Sequence, residues 1–403
     1  MFKQDPSNTV IINATNIGYK FQGIGVYSLN ILKEISKLKT DLNFIVYLNN
    51  SAKRNIDEIN FPENFRLKWV SSIISPDNRF KGHMLRLIFS NLISLKYRDY
   101  LQFNTSQLEI NFFRSNQIVT VHDVIPLLFK KYHKKQYFYF KLILKYGLSN
   151  ARYILTPSYH SKELLMNIFN LQDERVKTIH NGANTFQANS VKSVMWEKDN
   201  YILYVGRINQ MKNIGALLTA YSMIHKKINK DLVVISDDRK ALDSEIKKTN
   251  LSKAVLNRII FKENVSEEEK IKIMSRASLL VSPTLYEGFG LPPIEAMACG
   301  CPVIVSNTSC IPEVCGGAAL YIDPYNTNSI ADAIVELVEN TNLRNKLIER
   351  GLVRVRGFKW EFSAMEHLRV FENVLAYKTF PAEKRAKSFQ IFPGSIEPAG
   401  FGN

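Results

Sequence analysis

Short runs of apolar and β-branched residues alternate with longer stretches of helical period along most of the chain. The runs predict strands at Thr9–Asn13, Asn43–Leu48, Arg66–Val70, Gln117–Val121, Tyr153–Thr156, Tyr201–Val205, Asp231–Ile235, Arg258–Phe261, Leu279–Ser282, Pro302–Val305 and Leu320–Ile322. Between them the period predicts helices over Val26–Leu38, Ser158–Phe169, Ile214–His225, Glu267–Ser275, Ser329–Asn340 and Leu343–Arg354. Such alternation is the pattern of parallel α/β sheets. It pauses in the polar stretch Asn181–Ser193 and restarts at Tyr201. The expectation is therefore two Rossmann-like, doubly wound domains facing a cleft, residues 1–182 and 200–359, with a linker over 183–199. The Pro- and Gly-bearing tail, 378–403, has no period and reads as a surface strap or an unordered segment.

Two segments are more ambiguous. Residues 129–146 run basic first and then aromatic and aliphatic, which suits a helix. Leu142, Ile143 and Tyr146 would make an ordinary core stripe under a solvated Lys face, and an interfacial helix is the competing reading. Residues 79–98 mix Met84, Leu85, Leu87, Ile88, Leu92 and Leu95 with Lys81, Arg86, Lys96 and Arg98 in a similar way.

With 403 residues, 45% of them hydrophobic and 22% charged, the chain can bury two or three cores and is not a disordered, collagenous or disulfide-built protein. Its formal net charge is +16, and the excess sits in the first half: residues 1–199 hold 27 Lys and Arg against 15 Asp and Glu, residues 200–403 hold 26 against 22. That field suits nucleic acid, an anionic membrane or a phosphorylated substrate. Cys299, Cys301, Cys310 and Cys315 lack metal-ligand spacing and read as small buried residues in a reducing compartment. The first residues lack a signal-peptide core and no run of 18 apolar residues occurs, so the expected place is the cytoplasm.

Candidate chemistry gathers at strand ends. Gly23 and Gly25 lie where the first strand's loop becomes a helix, a place where backbone N–H groups can approach an anion or a sugar. His122, followed by Asp123, ends the strand at Gln117–Val121. After Tyr201–Val205 come Gly206, Arg207 and Lys212: the guanidinium offers a planar fork and the ammonium a point charge for a diphosphate. The most specific stretch is Glu287-Gly288-Phe289-Gly290-Leu291-Pro-Pro-Ile-Glu295, after the strand Leu279–Ser282. Two prolines suit a helix's first turn, so Gly288–Leu291 becomes a loop of amides ahead of it. Glu287 on that loop and Glu295 in the first helical turn can accept paired hydroxyls while the helix dipole faces phosphate.

This stretch, with Gly206-Arg207 and Lys212-Asn213 before it, resembles the donor-site motifs of family 4 retaining glycosyltransferases of the GT-B fold. The likeness covers the chain to about Lys378, through Gly23-Ile-Gly-Val-Tyr27, His122-Asp123, Thr156–Ser161, Asn181-Gly182 and Phe358–Phe362. The resemblance implies that Arg207, Lys212, Gly23 and Gly25 meet the donor diphosphate. Glu287 would hold the transferred sugar, Glu295 the ribose, and His122 would stand beside the sugar at the reaction centre. It further implies an acceptor-binding first domain, a donor-binding second domain, a helix over 360–377 returning to the first domain, and no metal or other cofactor. Two positions depart from the family: Ser236-Asp237-Asp238 replaces glycines on the nucleobase side, and His180 replaces a proline.

The His122-Asp-Val-Ile-Pro126 variant is similar to that of bacterial polysaccharide mannosyltransferases, which implies GDP-mannose ahead of UDP-sugars, and a lipid-linked saccharide acceptor at the anionic inner membrane face. A sugar-nucleotide epimerase of similar fold is the nearest rival. A nucleic-acid-binding protein would explain the charge, but no recognition motif is visible.

Overall fold

The computed structural model of the protein describes residues 5–19, 23–112, 116–183 and 199–376. Strands β1 (Thr9–Asn13), β2 (Asn43–Asn49), β3 (Phe65–Val70), β4 (Leu101–Asn104), β5 (Gln117–Thr120), β6 (Tyr153–Thr156) and β7 (Val176–Thr178) form a 7-stranded sheet in the order β3-β2-β1-β4-β5-β6-β7. Strands β8 (Tyr201–Val205), β9 (Asp231–Ile235), β10 (Ile259–Lys262), β11 (Leu279–Ser282), β12 (Val303–Ser306) and β13 (Leu320–Ile322) form a 6-stranded sheet in the order β10-β9-β8-β11-β12-β13. The pairings within both sheets are parallel. Strands β4 and β7 have no counterpart in the sequence reading.

Residue alternation explains the double winding of the second sheet. Successive strand side chains point to opposite faces. Ile202, Tyr204, Leu279 and Val281 join one buried cluster with Leu217, Leu218 and Ile334 of the helices Ile214–Ile228 and Thr327–Glu339. Leu203, Leu280, Val303 and Val305 join another with Met274, Ile294 and Met297 of the helices Glu267–Arg276 and Leu291–Ala298. Both faces are thus sealed by helices, as near-continuous apolar strands require.

The chain divides into two compact units, one of residues 1–157, 161–179 and 363–403, the other of 158–160 and 180–362. The long run of the second unit begins at His180. Within that unit His180 Nε2 lies 2.7 Å from Glu313 Oε1, and the same carboxylate accepts the amides of Tyr159 and His160 at 2.9 and 3.0 Å. Most of the linker expected at 183–199, and the tail 378–403, lie outside the described residues.

The helix Trp360–Ala376 starts in the second unit and its remainder belongs to the first. There Phe371 packs on Phe103 of β4, with ring centroids 5.1 Å apart, and Lys177 of β7 reaches Glu366 at 2.6 Å. Its His367 is buried. His367 Nδ1 lies 2.7 Å from the Ser363 carbonyl, which can only accept, so Nε2 accepts the Tyr27 hydroxyl proton at 2.7 Å. Thr120 of β5 then donates to Tyr27 at 2.8 Å.

One expected core stripe is overturned. Residues 129–146 form no single helix: a helix at Lys134–Phe138 passes through a π-helical stretch, Tyr139–Leu144, into a helix at Lys145–Asn150. Leu142, Ile143 and Tyr146 are exposed, while Phe140, Leu144 and Leu148 are buried with Val119 and Ile154. A π turn takes up an extra residue, so regular helical period no longer tells which side faces inward.

Candidate functional site

In the second unit, β8 and β11 pair at the point where the chain leaves the sheet in opposite directions, to β9 on one side and β12 on the other. Ligands of open α/β sheets bind outside the strand C-termini at such a switch point. The loops after these two strands are stitched together. Met211 O accepts Thr284 Oγ1 at 2.8 Å and the Leu285 amide at 2.7 Å. Asn213, left-handed at φ 53°, donates its side-chain amide to Pro283 O at 3.1 Å and Pro324 O at 2.8 Å. Asn209 caps the short turn Gln210–Lys212 by accepting the Lys212 amide.

This stitching brings Lys212 and Glu287, 75 residues apart in sequence, into an ion pair that is mostly shielded from solvent. The sequence makes the two neighbours of one ligand; they are also neighbours of each other. Arg207 follows Gly206 and is exposed, with Asp237 close enough to act on it electrostatically. The Glu287 amide is held by Ser309 Oγ at 3.1 Å.

The loop Gly288–Leu291 leads into the eight-residue helix Leu291–Ala298, with Pro292 and Pro293 in its first turn as expected. Gly290 stands before it at φ 90°, and a Cβ there would come within 2.6 Å of Ile311 Cδ1, so only glycine fits. Phe289 is buried, in ring contact with Phe358 and His180. The proline rings remove two amide donors, which leaves the N–H groups of Leu291 and Ile294 among those that have no preceding helical carbonyl.

Glu295 is the fifth residue of this helix, so it lies one turn further in than the sequence suggested. It is 8% exposed and paired with Lys270 at 3.2 Å; Lys270 also reaches Glu267 at 3.0 Å. Burial pushes the Glu295 carboxyl above its ordinary range, with Lys270 pulling the other way. For Lys270 burial favours the neutral form, but Glu295 and Glu267 outweigh it and hold the ammonium above the usual lysine value. Sequence reasoning missed Lys270. Inside Glu267-Glu-Glu-Lys270 it reads as a member of a solvated helix face.

In the first unit, His122 follows β5 and is buried. Its amide donates to Gln107 Oε1 at 3.1 Å, and Nε2 lies 2.9 Å from the Thr105 carbonyl. A carbonyl only accepts, so Nε2 carries the proton and Nδ1 is the ring's acceptor. Burial lowers the imidazole pKa to about 4 against the opposing Thr105 bond, so the ring is neutral near pH 7. Tyr27 packs edge-on to it at 4.7 Å. Gly23 and Gly25 open the helix Gly23–Ile35, neither with positive φ. Among the described residues a Cβ on Gly23 would meet no atom within 4 Å, and one on Gly25 would make ordinary contact with Asn16 O at 3.6 Å.

The structure thus gathers Arg207, Lys212, Glu287, Gly288–Leu291 and Glu295 in the second unit, and Gly23, Gly25 and His122 in the first. The four cysteines are buried, and burial pushes Cys315 up to about 12. Among the described residues no group of three or more His, Cys, Asp or Glu is arranged to hold a metal ion, and no helix is long and apolar enough to cross a membrane.

The chain is similar to O-antigen chain mannosyltransferase B of Escherichia coli, 25% identical over 90% of this chain and 99% of that protein. It is 28% identical to O-antigen chain mannosyltransferase RfbU of Salmonella typhimurium over 81% of this chain and 90% of that one. Its fold matches sucrose-phosphate synthase from Thermosynechococcus elongatus, with a TM-score of 0.71 at 18% identity over 92% of this chain and 99% of that one. That is the two-sheet α/β architecture of the GT-B glycosyltransferases. Residues 186–354, which include Arg207, Lys212, Glu287, Gly288–Leu291 and Glu295, match the family model of the glycosyl transferases group 1.

Proposed function

We propose that the protein is a retaining glycosyltransferase that moves a hexose, mannose from GDP-mannose, onto a lipid-linked saccharide at the cytoplasmic face of the inner membrane in bacterial cell-surface polysaccharide synthesis. The observation that carries this reading is the Lys212–Glu287 pair at the switch point of the second sheet, beside Arg207 and the Gly290 loop. A diphosphate reaching Lys212 takes over its charge and releases the Glu287 carboxylate to accept sugar hydroxyls. Glu295, paired with Lys270, accepts the ribose hydroxyls. His122 offers Nδ1 to a sugar hydroxyl as a neutral acceptor. Gly23 and Gly25 leave backbone open to the diphosphate, since packing and φ do not demand glycine at either.

In the reaction the bond from the anomeric carbon to the phosphate oxygen breaks, and the acceptor oxygen bonds to that carbon from the same face. The departing phosphate oxygen takes the acceptor's proton. Arg207, Lys212 and the helix amides stabilise the leaving charge by preorganised electrostatics, without a resident metal. The family match and the transferase relatives favour transfer over the epimerase reading.

The test is a panel of nucleotide sugars scored by thermal stabilisation and by sugar release. GDP-mannose should stabilise the protein and be consumed in the presence of chelator, with product retaining the donor's anomeric configuration. Conversion of the donor to an epimer without acceptor, or no response to any nucleotide sugar, would overturn the proposal.

A further inference from the structure

The helix Arg79–Lys96 is amphipathic the wrong way round. Its buried face is largely polar, with Leu87 and Ile93 beside Arg86, Ser90, Asn91 and Ser94: Arg86 pairs with Glu109 at 2.7 Å and donates to Ile74 O at 2.8 Å, and Ser90 donates to Asn104 at 3.2 Å. Its solvent face carries Phe80, Met84, Ile88, Leu92 and Leu95, one every three or four residues, with Ile88 and Leu92 54% and 56% exposed. Beside it lies the segment 134–150. Lys135 Nζ stands 5.7 Å over the Phe80 ring, and Tyr139 meets His83 at 5.1 Å. That segment likewise exposes Phe138, Leu142 and Tyr146 at a spacing of four, with Leu142 63% exposed. Neither 79–98 nor 129–150 contains an Asp or Glu, while the exposed cations include Lys81, Lys96, Lys134, Lys135, Lys141 and Lys145.

An ordinary surface helix turns its polar side to water, and an apolar ridge this continuous marks an interaction site. Cations with no acid among them, flanking apolar side chains, match an anionic bilayer: the chains enter the acyl boundary while the ammonium groups stay at the phosphates. We propose that these two neighbouring segments of the first unit form a docking surface for anionic lipid bilayers. The inference deepens the lipid-borne acceptor of the proposed function and rests on that reading for its purpose; its test uses no acceptor.

The full chain is mixed with vesicles of phosphatidylcholine alone or with phosphatidylglycerol added, then floated. Binding should require the anionic lipid and weaken with salt. Ile88→Asp/Leu92→Asp and, on the other segment, Lys134→Glu/Lys135→Glu should each lower the bound fraction about tenfold or more. Both variants should keep the wild-type thermal midpoint and its stabilisation by nucleotide sugar. Lys226→Glu/Lys227→Glu, on the second unit, should float as the wild type does. No flotation with anionic vesicles, or equal flotation of all variants, overturns the surface. So does a wild-type dimer in light scattering that Ile88→Asp/Leu92→Asp breaks, since the ridge then serves a second copy. A protein that floats as expected but responds to no nucleotide sugar retains the surface and loses the transferase.

Discussion

Replacing Lys270 by Met keeps the length of the side chain and removes the cation facing Glu295. The carboxylate is 8% exposed, and burial already pushes its pKa above the model-peptide value of 4.5. A group whose folded pKa is raised contributes stability that is present below its unfolded pKa and lost as the pH rises through the folded one. Without Lys270 the folded value climbs further, so the loss grows above pH 4.5 and spans the neutral range. Removing one partner of a buried pair costs about 3–5 kcal/mol if the charge remains, and protonating Glu295 instead costs about 1.4 kcal/mol for each pH unit above its unfolded value. A loss of roughly 3 kcal/mol at pH about 8 follows, or roughly 6–12 °C of Tm for a unit of this size. As the pH falls towards 4.5 Glu295 takes up its proton and the difference should shrink. Thermal unfolding of both proteins at the two pH values measures it. The double variant Lys270→Met/Glu295→Gln should regain the Tm and still fail to bind nucleotide sugar. An equal drop at both pH values, or none near pH 8, would refute the claim that Lys270 acts by holding a buried charge.

Lys212→Ala should lower turnover by about 10²–10³ with the fold intact, the size of effect seen when one preorganised charge-stabilising group is lost; near-normal turnover in a folded variant would sink its diphosphate role. Gly290→Ala forces a side chain to φ 90° and against Ile311 Cδ1, so a loss of about 1–3 kcal/mol is expected, with weaker donor binding, and an unchanged denaturation midpoint would count against it. Burial lowers both His122 and His367 from 6.5 to about 4. Their contribution is therefore present above pH 6.5 and fades as the pH falls towards 4, on the order of 3 kcal/mol each. Denaturant titrations of the wild type and His367→Asn should show a shallower acid loss in the variant; parallel curves would contradict the assignment.

The architecture was legible because long apolar strands buried on both faces leave an unmistakable run, and because helices between them force parallel pairing. Strand β4 escaped notice since Gln102 and Asn104 are polar and yet buried, bonded to each other at 2.8 Å and to Ser90. Strand β7 is three residues long and lies at the sheet edge. The stretch from Glu287 to Glu295 was visible because glycine and proline at fixed spacing encode a turn and a helix start. Lys270 was not, because its partner Glu295 is supplied by a different helix. The direction of the Arg79–Lys96 helix was equally hidden. Period reveals an apolar stripe but not whether it faces the protein, and here Glu109 and Asn104 claim the polar side.

The bond from Tyr27 to His367 joins residues 340 positions apart. During synthesis the first unit therefore waits for nearly the whole chain. Its sheet strands emerge early, but Phe103 and Tyr27 meet Phe371 and His367 only when the helix Trp360–Ala376 leaves the ribosome. The second unit, drawn almost entirely from the continuous stretch 180–362, can close before the first is complete. Truncation before residue 363 should therefore leave the residues of the second unit in place while removing most of the helix that packs on the first.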